Sequence, residues 1–293
     1  MKIVGGLQLA TLTGAEIGAL ARPVVQRSDG PVIYVDHADT ETLRNKYQSD
    51  PYVDTSAIVD VGGVWGKNTL LEALGKKVDY IVASHVIEHV PDLITWLCEL
   101  VAALKPGGEI RLVIPDKRFT FDFKRRVTVL ADVTPAYQAR TRRPLPDQVL
   151  DFARYYTLID AADRWRGKGF DTPTEFTLQQ AQAFASDAAS GTYRDVHCWV
   201  FTPASFASLM RDLVGAGLIA VQCSQFYDTE LGDMEFFVQI KAGSDLSSWQ
   251  EMERQCTDWE RTLIRRFHPR VMRHRLQATF PRAASVIRRI VRR

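Results

Sequence analysis

Three runs in the first 115 residues, VIYVD (32–36), VDYIVAS (78–84) and EIRLVIP (109–115), are apolar with almost no alternation. A strand with one wet face alternates in polarity. A strand buried on both faces does not, and burial on both faces marks a parallel sheet held between two layers. Between these runs lie segments with apolar residues at helical spacing: TETLRNKYQ (40–48), NTLLEALGKK (68–77) and DLITWLCELVAAL (92–104). The last stops at LKPGG, whose Pro and Gly end a helix and turn the chain. With GAEIGAL (14–20) as a first strand and AIVDVGG (57–63) as a third, the pattern predicts an α/β, Rossmann-like, doubly wound fold.

The alternation lapses after Pro115. Residues 117–198 mix charged and aromatic residues and read as helical where they are regular. TPASFASLMRDLVGAGL (202–218) then predicts a helix capped by Thr202 with Pro203 at its first position. IAVQCSQFYD and EFFVQIKA follow as two strands close enough to pair, which makes a mostly parallel, seven-stranded sheet. The expected organisation is one domain over 1–243, with 117–198 as a helical cap inserted after the fifth strand, and a helical, Arg-rich extension over 244–293. The cap leaves from the carboxyl edge of the sheet, where ligands bind in open α/β folds.

Composition narrows the function. No run of eighteen apolar residues occurs, so no membrane-spanning helix is expected. The N-terminal MKIVGGLQLATLTGAEIGALARP is diluted by Gly, Thr and Gln and broken by Glu16, which argues against a secretory signal. Cys98, Cys198, Cys223 and Cys256 are far apart with no C-x-x-C, so neither a disulfide framework nor a zinc knot is expected, and a cytoplasmic protein is the default. Of the 37 basic residues eleven are Arg between Arg261 and Arg293, while all 35 acidic residues precede them, so residues 1–260 are net acidic by nine. Mixed with Phe, Val, Leu and Ile, those arginines suit the inner face of an anionic membrane, where each basic residue contributes about 1 kcal/mol. Nucleic acid is the weaker expectation, because the rest of the chain is acidic and shows no stacking platform.

SHVIEHV (84–90) contains His85-x-x-Glu88-His89, the spelling of a zinc hydrolase. Zinc binding by that motif needs both imidazoles on one continuous helix. Here a strand runs up to Ser84 and Pro91 follows His89 by two residues. Pro is tolerated at a helix start and not in its interior, so the segment reads as a strand-to-helix loop at the ligand edge and no metal is expected.

The run DYIVASHVIEHVPDLITWLCELVAALKPGGEIRLVIPD resembles the fourth-strand to fifth-strand portion of class I S-adenosylmethionine-dependent methyltransferases of the type-11-like group. EIGALARP, PDKRFTFDFKRR and VHCWVFTPASF are similar to segments of a bacterial subgroup associated with glycosyltransferases and cell-surface glycan assembly. The resemblance covers roughly residues 12–243 and implies S-adenosylmethionine as cofactor. It makes Glu16, Gly18 and Ala19 the first-strand loop, with Glu16 a candidate for the cofactor's ammonium and an ensuing helix start for its carboxylate. Ala19-Leu20-Ala21 replaces the later glycines of the usual G-x-G-x-G. Asp36 is placed for the ribose hydroxyls, Asp60 for the adenine amino group, and Ser84 and His85 for the cofactor side of the fourth-strand loop.

Methyl transfer to a hydroxyl needs in-line placement and a proton acceptor. His85, His89, Asp116 and His197 are the candidates. Lys117, Arg118, Phe121, Asp122 and Arg125 put charge and aromatic surface just beyond, suited to a sugar or its phosphate. Tyr155, Tyr156, Trp165 and Phe170 are available to line the cap. The expected activity is O-methylation of a sugar hydroxyl in a cell-surface glycan or its nucleotide- or lipid-linked precursor. The alternatives are a non-catalytic binding or scaffold protein and a zinc hydrolase using His85, Glu88 and His89.

Overall fold

The computed structural model describes residues 2–257. Its elements, in chain order, are β1 (Gly14–Ile17), β2 (Val32–Asp36), α1 (Thr40–Lys46), β3 (Gly63–Val64), α2 (Leu70–Leu74), β4 (Val78–Ser84), α3 (Leu93–Ala103), β5 (Leu104–Pro115), α4 (Leu130–Ala139), α5 (Pro146–Tyr155), α6 (Ala161–Trp165), α7 (Leu178–Ala189), α8 (Pro203–Gly215), β6 (Val221–Tyr227), β7 (Glu235–Ala242) and α9 (Leu246–Gln255). The seven strands form one sheet in the order β3-β2-β1-β4-β5-β7-β6. All pairs are parallel except those of β7, which is antiparallel to both β5 and β6. Strand order reverses between β1 and β4, so the crevice at their carboxyl ends is the ligand position of such a sheet.

The main core lies on one face, where Leu93, Leu97 and Leu100 of α3 and Phe206, Met210 and Leu213 of α8 pack against Ile81, Ile110 and Val238. The opposite face is covered over β1, β2 and β4 by irregular chain, with Ile3, Val25, Tyr34, Tyr80 and Val113 forming a second cluster. Gly14 is required beneath it, because a Cβ there would lie 2.0 Å from the Tyr80 ring. Thr202 caps α8 by accepting from the Ser205 N–H, as its sequence predicts.

Four expectations need correction. No helix follows β1: the Glu16 carboxylate accepts from the N–H groups of Val24 and Val25, and Pro23 and Gly30-Pro31 keep residues 18–31 in turns. The third strand is only Gly63–Val64, because Val59 N–H bonds to the Leu20 carbonyl and Val61 N–H to Thr40 Oγ1 instead of a neighbouring strand. The helix α3 ends at LKPGG as expected, but the fifth strand starts at Leu104 and not at Glu109, and Gly107 (φ +80°) and Gly108 serve a register irregularity against Val78 and Tyr80. Finally, α9 is not part of a separate extension: Trp249 and Met252 sit in the main core, and Trp249 Nε1–H donates to the Val221 carbonyl. The Arg-rich tail lies outside the described residues.

Candidate active site

At the end of β1 the chain takes left-handed conformations at Gly18 (φ +70°) and Leu20 (φ +45°). A side chain at 18 would also approach Val86 Cγ2 to 2.8 Å, so this loop and the one after β4 are in contact. Among the described residues no group accepts from the N–H of Ala19, Leu20 or Ala21. Left-handed turns that leave successive N–H groups free make anion-binding concavities. They stand where the sequence predicted a helix start. Glu16 does not face this crevice; it is buried and spent on Val24 and Val25, and burial raises its pKa although those two hydrogen bonds oppose the rise. It is therefore a brace for the loop and unsuited to hold the cofactor's ammonium.

Asp36 ends β2 with Oδ1 accepting from the His37 N–H at 2.7 Å and facing His37 Nδ1 at 2.6 Å, while Oδ2 has no hydrogen bond among the described residues. One oxygen of the pair is thus available to a diol. Asp60 is exposed and precedes β3 instead of ending it, which removes the geometric basis for placing it on the adenine; Trp65 follows the strand.

The loop after β4 holds the densest chemistry. Ser84 is half-buried at the strand end, and His85 follows in a left-handed conformation (φ +53°) that a non-glycine residue adopts only under constraint. Ile87–His89 is a single 3-10 turn, and Asp92 caps α3 through the Thr95 N–H. The imidazoles of His85 and His89 therefore do not share a helix face, as the zinc-hydrolase reading would require. A second segment is clamped to this loop: Cys198 and Trp199 donate their N–H groups to the Glu88 carbonyl, and Trp199 Nε1–H donates to the Val90 carbonyl at 2.6 Å. That clamp carries His197 to within 4.0 Å of Glu88 Oε1 and sets its ring 4.6 Å from that of His89.

Each histidine is held by its own carboxylate. His85 Nε2 meets Glu235 at 2.6 Å, His89 Nδ1 meets Asp195 at 2.9 Å, and His197 Nδ1 meets Asp122 at 2.6 Å. Burial would lower the pKa of His85, but the Glu235 hydrogen bond and the charges of Glu88 and Glu235 outweigh it and the pKa is raised. His89 is raised in the same way, against its burial, by Asp195 and Glu88. Burial works to raise Asp122, yet its bond to His197 and the Arg125 charge bring it below the usual carboxylate range.

The residues after β5 are occupied by one another. Asp116 is fully buried, with both oxygens taken by Arg118 and one also by the Thr229 hydroxyl, so it has no free oxygen to accept a substrate proton. Arg118 is correspondingly turned inward. Arg125 bridges Asp122 and Asp151, and Lys117 donates to the Phe123 carbonyl. Asp122, Arg118 and Arg125 thus build the cap instead of gripping a ligand. Of this set Phe121 alone keeps a face to offer. It is half-buried, its ring 4.7 Å from His197 and 4.9 Å from Tyr156. Trp165 is buried in a stack on Phe119, while Tyr155 and Phe170 are exposed, Phe170 under Arg164.

Sequence reasoning passed over Asp195 and Glu235, and considered Glu88 only as part of the zinc-hydrolase spelling. Glu88 carried a signal, a lone acid between apolar residues in VIEHV; the other two carried none, since they reach the histidines across 106 and 150 residues.

A parallel sheet with an antiparallel β7 inserted beside β5, and polar loops gathered at the β1–β4 switch point, define a Rossmann-like α/β fold. A family model described as "Methyltransferase domain" matches residues 14–213, and the chain belongs to that family. Its methyl donor is S-adenosylmethionine. No curated protein sequence matches the chain. Among solved structures, the chain is similar to a protein described as a Zn-dependent alcohol dehydrogenase from Rhodobacter sphaeroides, at 13% identity and TM-score 0.42, covering 82% of this chain and 88% of that one. It is also similar to the CcbJ methyltransferase of Streptomyces caelestis, at 12% identity and TM-score 0.40, covering 80% and 85%.

Proposed function

We propose that the protein methylates a hydroxyl of a sugar, in a cell-surface glycan or its nucleotide- or lipid-linked precursor. The observation that carries this reading is the meeting, at one switch point, of the Gly18–Ala21 turn and Asp36 with three carboxylate-held histidines beside a half-buried aromatic wall. The residues present fit the cofactor: free N–H groups at 19–21 suit its carboxylate, and Asp36 Oδ2 suits its ribose diol. The cofactor supplies an electrophilic methyl group. The chain supplies position and a proton acceptor, with His85 placed first for that role because it lies on the loop touching Gly18 and its ring is fixed by Glu235. Phe121 and Tyr156 provide faces on which the apolar side of a sugar stacks. The basic tail would hold the protein to an anionic membrane that presents a lipid-linked acceptor.

Titration calorimetry with S-adenosylmethionine and S-adenosylhomocysteine is the first test, with Asp36→Ala in parallel. Micromolar binding weakened by the substitution is expected, and no binding at millimolar cofactor would end the proposal. Release of S-adenosylhomocysteine with a panel of nucleotide sugars and polyprenyl-linked sugars then tests the acceptor. His85→Asn should keep cofactor binding and lose about 10²–10⁴ in kcat.

A further inference from the structure

Glu88 is 1% exposed, and neither of its carboxylate oxygens has a hydrogen-bond partner among the described residues. Native interiors rarely leave an acid in that condition. Around it stand His85, whose Nδ1 is 3.6 Å from Oε1, and His197, whose Nε2 is 4.0 Å from the same oxygen. Single donor atoms of Glu88, His89 and His197 all lie within 4.8 Å of one another. His89 and His197 each present a carboxylate to Nδ1, Asp195 and Asp122 respectively, which leaves Nε2 for another partner. A metal-ligating histidine is held in this manner, its outer nitrogen on a carboxylate that fixes the tautomer and its inner lone pair aimed at the ion.

We infer that Glu88, His89 and His197 bind one divalent transition-metal ion. Two imidazoles and a carboxylate favour zinc or its first-row neighbours over magnesium or calcium, which prefer all-oxygen sites. Donors on a tetrahedral ion at about 2.1 Å lie roughly 3.4 Å apart, so the site closes by small rotations of the Glu88 and His89 side chains. Glu88 and His197 are already tied together through the hydrogen bonds from Cys198 and Trp199 to the Glu88 carbonyl. Three protein ligands leave a fourth position open. If the methyl-transfer reading holds, an acceptor hydroxyl taken up at that position would lose its proton more readily. The inference differs from a helix-borne zinc motif, because His197 supplies a ligand from outside it and His85 is not required.

The test is titration of chelator-treated full-length protein with Co²⁺, followed by visible absorption, and with Zn²⁺, followed by calorimetry. One equivalent per chain is expected, with a d–d band typical of low coordination number and a higher thermal midpoint with Zn²⁺. His89→Asn and Glu88→Gln should lose affinity at least a hundredfold. Asp195→Asn alters only a partly exposed outer carboxylate, so it should fold normally and weaken binding about ten- to hundredfold. A wild-type protein with no band and no stoichiometric Zn²⁺, or equal binding in all variants, overturns the inference. The first result would mean that protons on the imidazoles balance Glu88, the second that the ion is adventitious. Cofactor titrations on the same samples separate the two readings. Cofactor binding without ion binding overturns the metal site alone, and ion binding without cofactor leaves the site standing while methyl transfer falls.

Discussion

The two sides of the switch point are built from different materials. On the β1–β2 side the crevice is made of backbone: left-handed turns at Gly18 and Leu20, free N–H groups, and one carboxylate with a free oxygen at Asp36. On the β4–β5 side it is made of buried charge: Asp116 with Arg118, Asp122 with Arg125 and His197, and Glu88 among the histidines. Backbone sites tolerate loss of a side chain in their fold and register it in binding. Buried ionic sites do the reverse, since removing one partner strands the other in a medium that solvates it poorly.

The sharpest test of that contrast is Arg125→Leu. It leaves Asp122 and Asp151 without their cation and is expected to cost about 3–5 kcal/mol, read as a lower urea midpoint. Asp36→Ala, on the backbone side, should leave the midpoint unchanged and weaken cofactor binding by about ten- to hundredfold, or roughly 1.5–3 kcal/mol. If both variants unfold alike, the contrast fails. Gly18→Ala forces a left-handed alanine against Val86 and should cost about 1–2 kcal/mol in stability while also weakening the cofactor. Thr202→Ala removes the α8 cap and should lower stability by about 1 kcal/mol with binding intact. Arg126→Ala breaks an ion pair with Asp132 at a largely exposed arginine and should move the melting temperature hardly at all, within about 0.5 kcal/mol.

The same contrast explains what could be read from the chain. Strands β2, β4 and β5 and helices α3 and α8 were legible because their apolar periodicity and caps are local signals. Asp36 and the His85–His89 loop followed from their places at strand ends. The short β3 misled, because AIVDVGG has a strand's composition but gives its N–H groups to Leu20 and Thr40. Glu16 misled for a related reason: an acid beside a cofactor loop and an acid bracing that loop are spelled alike. The inward pairing of Asp116 with Arg118 had no local signature, since KRF reads equally well as a solvated run.

The last hairpin sets the order in which the molecule can be completed. Because β7 inserts between β5 and β6, its first residue, Glu235, reaches His85 only after nearly the whole described chain has been made. The β1-to-β4 half can form from pairings no more than 66 residues apart, whereas the contacts that fix His89 and His85 span 106 and 150 residues. During synthesis the cofactor crevice can therefore exist before its chemistry does, and a chain halted ahead of β7 would hold a pocket without the carboxylate that fixes His85.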